Sequence, residues 1–294
     1  MVNNIKIFSK KINQISRSRA SSKTKRFDYL FDEVNKRMFD RLKFIKRNFT
    51  NTLEIGSRTG NSIALFNEKK DIKKIFFTDI STEMLAMAKK KQNKKSCFLS
   101  IDEENMPFKE SQFNLVFSNL YLHWANDLLK VFNEIYHVLK PDGLFLCSIF
   151  GSETLSELKY SLCSAEDKIS KKISPRVSPF IRLQDAGSLL QKCNFQLPVI
   201  DRDIIKIYYN DIYSLMNDLK GMGESNSLIG RKESFTTKKL FDEANKIYKK
   251  KFFEKNKIFA TFEILYFIGW TKHISQQKPL RPGSAKKKLS DFLS

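Results

Sequence analysis

Cysteine and histidine are scarce in this chain, with four of the former and three of the latter among 294 residues. Cys97, Cys147, Cys163 and Cys193 lie far apart and form no CxxC pair, and His123, His137 and His273 have no ligand-like spacing. Neither a disulfide framework nor a zinc site is therefore indicated. Cys147 lies inside an apolar run and Cys97 borders one, so both read as core thiols in a reducing compartment. Long apolar runs are missing too: the best candidate, 262–270, falls well short of the roughly 20 residues of a membrane span and carries Glu263. Nothing at the start reads as a secretory signal, because 1–20 is polar and basic. That segment contains serine and no acidic residue, a composition that a mitochondrial presequence would share. Internal repeats and low-complexity linkers are absent as well.

What the sequence does contain is apolar mass and positive charge. Apolar residues make up 41%, with 26 Phe and 9 Tyr, enough to offset the entropy of ordering and to exclude intrinsic disorder. The formal net charge is +21, and residues 1–47 contribute nearly half of it with 14 basic and 4 acidic side chains. A second basic knot is Lys286 to Lys288. Such a distribution can steer a protein toward an acidic partner, nucleic acid or an acidic carrier protein. It is equally what a Lys-rich bias with solvated faces produces. No base-stacking or nucleic-acid motif accompanies it, so nucleic acid is not the expected partner.

Residues 1–26 are polar and basic. From 27 to 49, Leu30, Val34, Met38, Leu42 and Ile45 recur at helical spacing. Short apolar runs then alternate with helical patterns: strands are expected at 52–55, 75–78, 97–99, 113–117 and 144–150, and helices at 62–68, 82–91 and 127–139. This βαβα rhythm implies a parallel sheet with helices on both faces. Lys140-Pro141-Asp142-Gly143 is expected to end a helix and start the fifth strand. Beyond Gly151 the rhythm changes, with helices expected near 154–169, 185–193, 213–219 and 237–253. Apolar runs lie at 198–200 and 204–209, and a late strand at 261–270 is expected to return to the sheet. The domain reading is a basic N-terminal segment and helix, 1–47, followed by one domain, 48–294, elaborated at about 210–258.

Three carboxylate positions stand in strand-end register. Leu53-Glu54-Ile55-Gly56-Ser57-Arg58-Thr59-Gly60 runs from a strand through a small-residue turn into a helix, as a cofactor needs when the backbone must approach it closely. Asp79 ends the second strand, where an acidic residue can accept hydrogen bonds from ribose hydroxyls. Asp102-Glu103 follows the third strand, where a carboxylate can meet an adenine amino group. Each alone reads as a cap or a surface residue; together they outline a nucleoside site.

These residues, with Pro107-Phe108, Phe113-Asn114-Leu115-Val116, His123-Trp124 and Leu139-Lys140-Pro141-Asp142-Gly143, resemble the class I S-adenosylmethionine-dependent methyltransferases. Within that class the chain is similar to the arginine-hydroxylating assembly factor of respiratory complex I and its alphaproteobacterial relatives. The malonyl-acyl-carrier-protein methyltransferase of biotin synthesis is a neighbouring family. The narrower likeness rests on Ile7-Phe8, Phe27-Asp28-Tyr29-Leu30, Leu122 to Leu128, Phe150-Gly151-Ser152-Glu153-Thr154-Leu155 and Ser178-Pro179-Phe180. It continues in Gly221-Met222-Gly223-Glu224-Ser225-Asn226, Ile268-Gly269-Trp270 and Arg281-Pro282-Gly283-Ser284-Ala285.

The resemblance implies a Rossmann-like α/β fold, a mostly parallel seven-stranded sheet with helices on both faces and C-terminal helical elaborations, and S-adenosylmethionine as cofactor. It implies that Glu54, Gly56, Ser57 and Gly60 line the methionine and ribose side. It places Asp79 on the ribose, Ile80 against the adenine, Asp102 and Glu103 at the adenine edge, and Asn119 near the sulfonium. His123-Trp124 reads either as a packing pair or as a wall of the substrate pocket. Glu224 and Asn226 read either as a capping cluster or as partners of a guanidinium substrate. No residue is assigned a catalytic step.

Two positions depart from the family pattern. Arg58 stands where a middle glycine is usual and is expected to point outward, failing which cofactor affinity falls. Asn114 replaces a common Asp and is expected to be a tolerated strand-edge change. Three functions follow as expectations: modification of a protein arginine in a complex I subunit, methyl transfer to malonyl-carrier protein, or a non-catalytic assembly chaperone. The family-like segment begins at Ile7, which the reading takes as leaving no room for a presequence; a bacterial cytoplasm with transient contact at the inner membrane is expected, the mitochondrial matrix being the alternative.

Overall fold

The polar N-terminal stretch holds the first departure from expectation. In the computed structural model, which describes residues 6–277 together with 283 and 284, a helix α1 spans Lys10–Ala20. It is nearly devoid of an apolar face and buries Asn13, Arg17 and Ala20. A single turn, α2 (Thr24–Phe27), leads into α3 (Tyr29–Lys43), whose Leu30, Phe31, Val34, Met38 and Leu42 form a buried stripe at helical spacing. The expected helix to residue 49 stops at Lys43, since Phe44 is exposed and Phe49 turns inward to the core with its N–H held by the Asp71 carboxylate. The basic knot at Lys286 to Lys288, and Arg281, Pro282 and Ala285 of the late motif, lie outside the described residues.

The central alternation then follows: β1 (Asn51–Ile55), α4 (Ile63–Asn67), β2 (Lys74–Asp79), α5 (Thr82–Lys89), β3 (Ser96–Ser100), β4 (Phe113–Asn119), α6 (Leu128–Val138) and β5 (Leu139–Phe150). The second half supplies α7 (Ser156–Ser170), α8 (Leu183–Lys192), β6 (Gln196–Tyr209), α9 (Ile212–Met222), α10 (Lys238–Lys251), β7 (Phe253–Glu254) and β8 (Lys257–Trp270). Strand order is β3-β2-β1-β4-β5-β8-β6, with β1 to β5 parallel, β8 antiparallel to both neighbours and β7 hydrogen-bonded to β8. The order reverses between β1 and β4, the point at which open α/β sheets bind ligands beyond their carboxyl ends.

Successive residues of each strand supply opposite faces. Leu144, Leu146 and Phe150 of β5 join the α3 side of the core, while Phe145, Cys147 and Ile149 join the α6 and α8 side. The register of β4 on β5 shifts between Phe113 and Leu115, across the Lys140–Gly143 turn, which the structure incorporates in β5. The two apolar runs at 198–200 and 204–209 are one strand, because Asp201 and Asp203 between them face Arg41 and Arg37 of α3. All four cysteines are free thiols; Cys147 is buried and Cys97 half-buried.

Candidate functional site

Glu54 is the penultimate residue of β1, buried beneath the crevice. Its carboxyl accepts from the Ser62 hydroxyl, and burial, reinforced by the charge of Asp79, pushes its pKa up to about 8, so it is protonated at neutral pH. Gly56 follows with φ +75°, and a Cβ there would stand 2.0 Å from the Tyr121 ring, so only glycine fits. The Ser57 hydroxyl is buried without a partner. Across the crevice Glu103 is buried, accepts from the Tyr121 hydroxyl at 2.8 Å, and has its pKa raised by that burial.

Asp79 is the centre of this cluster, and its acceptor capacity is spent. Oδ1 accepts from Arg17 Nε at 3.1 Å and from the Ser81 N–H at 2.9 Å. Oδ2 accepts from an Arg17 terminal nitrogen at 2.5 Å and from the Arg58 N–H at 3.0 Å. A carboxylate offers about four such sites. Arg17 itself is fully buried, its guanidinium carbon 4.7 Å from the centre of the Tyr121 ring. Burial alone would lower its pKa; the charge and hydrogen bonds of Asp79 reverse that and raise it.

The rest of α1 lies along the same strip. Lys10 pairs with Asp102 and, at 3.1 Å, with Glu104; Gln14 donates to the Ile80 carbonyl at 3.0 Å; the Ser18 hydroxyl lies 2.9 Å from that of Ser81. These positions, i, i+4, i+7 and i+8, form one face of a helix. Every expected adenosine-side residue from Asp79 to Asp102 thus meets α1. As arranged, the residues do not take a ribose diol: the carboxylate acceptor and the close-approach glycine suit one, but the Arg17 guanidinium already holds that carboxylate. Asn119 is also committed, donating to the Phe31 carbonyl at 2.9 Å and accepting from Ser148 at 2.8 Å.

Arg58 corrects an expectation. It points inward, with φ 52°, donating to Asp28 at 2.6 Å and to the Met222 carbonyl at 2.8 Å, its guanidinium carbon 3.7 Å from the Phe31 ring centre. The buried Asp28 carboxylate and the open carbonyl at the end of α9 both require a cation there. Asn114 accepts from the Thr50 hydroxyl at 2.8 Å at the strand edge.

The second cluster forms where α9 ends. Gly223 takes φ +79°, and the Glu224 N–H bonds back to the Leu219 carbonyl while that of Gly223 bonds to Lys220, a pairing that fixes Glu224 just past the helix. Its Oε2 meets His123 Nε2 and Trp124 Nε1, each at 3.0 Å. A carboxylate only accepts, so Nε2 carries the hydrogen. Oε1 of Glu224 and Nδ1 of His123 are buried with no partner. Glu224, Trp124 and Asn226 line a cavity of about 300 Å³ walled by Phe150, Leu158, Phe180 and Phe262. Arg176 on its wall is neutralised by Glu166 at 2.6 Å, and Asn226 ties the two flanking loops by donating to the Pro175 carbonyl at 2.9 Å.

The motifs outside the crevice therefore converge. Phe8 packs on Trp124 with ring centres 5.2 Å apart, Phe27 lies over Gly221 so closely that a Cβ would stand 2.4 Å from its ring, and Phe150, Leu155 and Phe180 line the cavity. Arg17 and Tyr121 are the participants that sequence reasoning missed: one sits in a helix with no apolar periodicity, the other reads as ordinary core.

A family model described as a methyltransferase domain matches residues 53–147. The Bacillus subtilis YcgJ structure superposes with a TM-score of 0.56 at 15% identity, covering 81% of this chain and 99% of that one, a likeness of fold. The protein is thus a class I methyltransferase-fold chain. Among curated proteins, arginine-hydroxylase NDUFAF5, mitochondrial, of Danio rerio is 37% identical over 97% of this chain and 89% of its own length. The Dictyostelium discoideum protein of the same name is 39% identical over 91% of this chain, which spans 65% of that relative. More distant is the malonyl-[acyl-carrier protein] O-methyltransferase of Nitrosospira multiformis, 32% identical over 81% of each chain. The chain belongs to the family of arginine-hydroxylase NDUFAF5.

Proposed function

We propose that the protein modifies an arginine side chain of a protein substrate, a respiratory complex I subunit, and that the Glu224 cavity receives that side chain. The observation that carries this reading is the buried, unpartnered Oε1 of Glu224, a residue that lines an aromatic-walled cavity and whose other oxygen is held by His123 and Trp124. Such an oxygen lacks only a donor, and a guanidinium presents donors in a rigid fork with a flat face for aromatic walls. Kinship with the arginine-hydroxylases over nearly the whole chain supports the same substrate class.

S-adenosylmethionine is the proposed cofactor, with Glu54, Gly56, Ser57, Gly60, Asp79, Ile80, Asp102, Glu103 and Asn119 around it once Arg17 has left Asp79. In this reading the helix α1 of the basic segment 1–47 covers the cofactor side of the domain that begins at residue 48. A malonyl carboxylate would face the carboxylate of Glu224, a like-charge contact that disfavours the carrier-protein reading. The proposed setting is the bacterial cytoplasm or mitochondrial matrix beside complex I; the relatives' names favour the latter, and no helix among the described residues is long and apolar enough to cross a membrane.

The test is mass spectrometry of complex I subunits from cells carrying the wild-type chain, a deletion or Glu224→Gln. One arginine is expected to gain an oxygen atom only with the wild-type chain, the substitution lowering modification roughly tenfold to a hundredfold. A gain of a methylene instead identifies methyl transfer; an arginine unchanged by deletion leaves only the assembly role.

A further inference from the structure

We propose that α1 is an exchangeable lid on the nucleoside crevice: the Arg17 guanidinium occupies on Asp79 the place of a ribose diol, so the closed lid and a bound nucleoside exclude one another. The inference rests on the nucleoside-cofactor reading above. Saturation of Asp79 is its first support, because the four hydrogen bonds leave neither oxygen able to accept a hydroxyl. The stripe Lys10, Gln14, Arg17 and Ser18 covers the strip at which the base and sugar would lie. A change of the Arg17 rotamer alone would leave this cover in place, so entry requires the helix to lift.

The closed state is also built to be left. No large apolar side chain of α1 is buried, Ile15 is exposed, and both Asn13 Nδ2 and one terminal nitrogen of Arg17 are buried without partners. A buried ion pair with unmet donors is costly to form, so a ligand that satisfies Asp79 in solvent-excluded surroundings competes with it effectively. The start of the helix is stapled elsewhere: the Ser9 N–H bonds to the Ser227 carbonyl at 2.8 Å and the Ile229 N–H to the Ile7 carbonyl at 2.9 Å. Motion is therefore assigned to the later turns, 13–20, which pack on Gly223 beside Glu224.

Hydrogen–deuterium exchange and calorimetry of the full chain with S-adenosylhomocysteine test this. Ligand is expected to raise amide exchange in 13–20, and Arg17→Ala to tighten binding roughly tenfold or more. Lys10→Ala, which removes two partly exposed pairs and leaves the buried one, is expected to tighten it a few-fold, and it serves if Arg17→Ala does not fold. Binding accompanied by greater protection of 13–20, or weakened by both substitutions, overturns the lid and makes α1 a fixed part of the cofactor site. Binding by neither the wild-type chain nor the variants overturns the nucleoside reading and the lid with it, while leaving the arginine test above untouched.

Discussion

The two carboxylates around which the proposed function turns, Asp79 and Glu224, are both buried and both near Arg17, yet they differ in what they still lack. Asp79 has four donors on two oxygens, whereas Glu224 has two donors on one oxygen and none on the other. The crevice around Asp79 carries the recognisable motif and is closed; the cavity beside Glu224 carries no general motif and is open. Unmet hydrogen-bonding capacity in a dry setting marks a place awaiting a partner. A motif marks only a place where partners can be accommodated.

The contrast breaks first at the buried ion pair. Arg17→Ala leaves Asp79 charged and buried, with an expected cost of about 3–5 kcal/mol in denaturant unfolding, and Arg17→Met combined with Asp79→Asn should recover most of it. Full additivity of the two changes would show that the pair does not hold the crevice shut.

Next comes Glu54. Its folded-state pKa of about 8 lies above the ordinary 4.5, so the unfolded chain releases a proton that the folded one keeps. Stability from this group is complete below about pH 4.5 and is lost as pH rises toward 8. Glu54→Gln should flatten that decline, with a difference on the order of a few kcal/mol at the upper end. Parallel pH profiles of the two proteins would place the Glu54 proton elsewhere.

A smaller effect sharpens the open site. In wild-type protein, a capped Gly-Arg-Gly peptide should bind roughly tenfold or more tightly than its citrulline counterpart, because a guanidinium makes charge-assisted hydrogen bonds to the Glu224 carboxylate that a neutral urea group does not. Equal binding by the two peptides would remove the guanidinium from the cavity. Smallest of all, Trp124→Phe deletes one of the two donors that orient Glu224 and should weaken peptide binding by about 1 kcal/mol while leaving S-adenosylhomocysteine binding unchanged. An equal loss for both ligands would mean that Trp124 supports the whole fold and not the cavity alone.

Much of the sheet was legible because its strands are buried apolar runs separated by turn residues; β1 to β4 fall within two residues of their expected bounds, while β5 starts five residues early by taking in the Lys140–Gly143 turn. The helix α1 was not, because its buried side chain is an arginine whose partner lies 62 residues away, and hydropathy periodicity registers no ion pairs. The strand β6 read as two pieces for a similar reason: Asp201 and Asp203 look like an interruption until Arg37 and Arg41 of α3 meet them. Arg58 was expected to point outward, and Asp28 and the Met222 carbonyl instead give it a place inside from segments far along the chain.

Local order and class were thus set by the sequence alone: periodicity and turn chemistry act between near neighbours, so they specify strands, helices, the Gly56 bend and the parallel arrangement that brings Glu54, Asp79 and Asp102 to one edge. Which of those carboxylates is satisfied and which is left wanting was decided only in the tertiary structure. A hydrogen bond is a relation between two groups, and for Asp79 and Glu224 the second group arrives from a distant part of the chain or has yet to arrive.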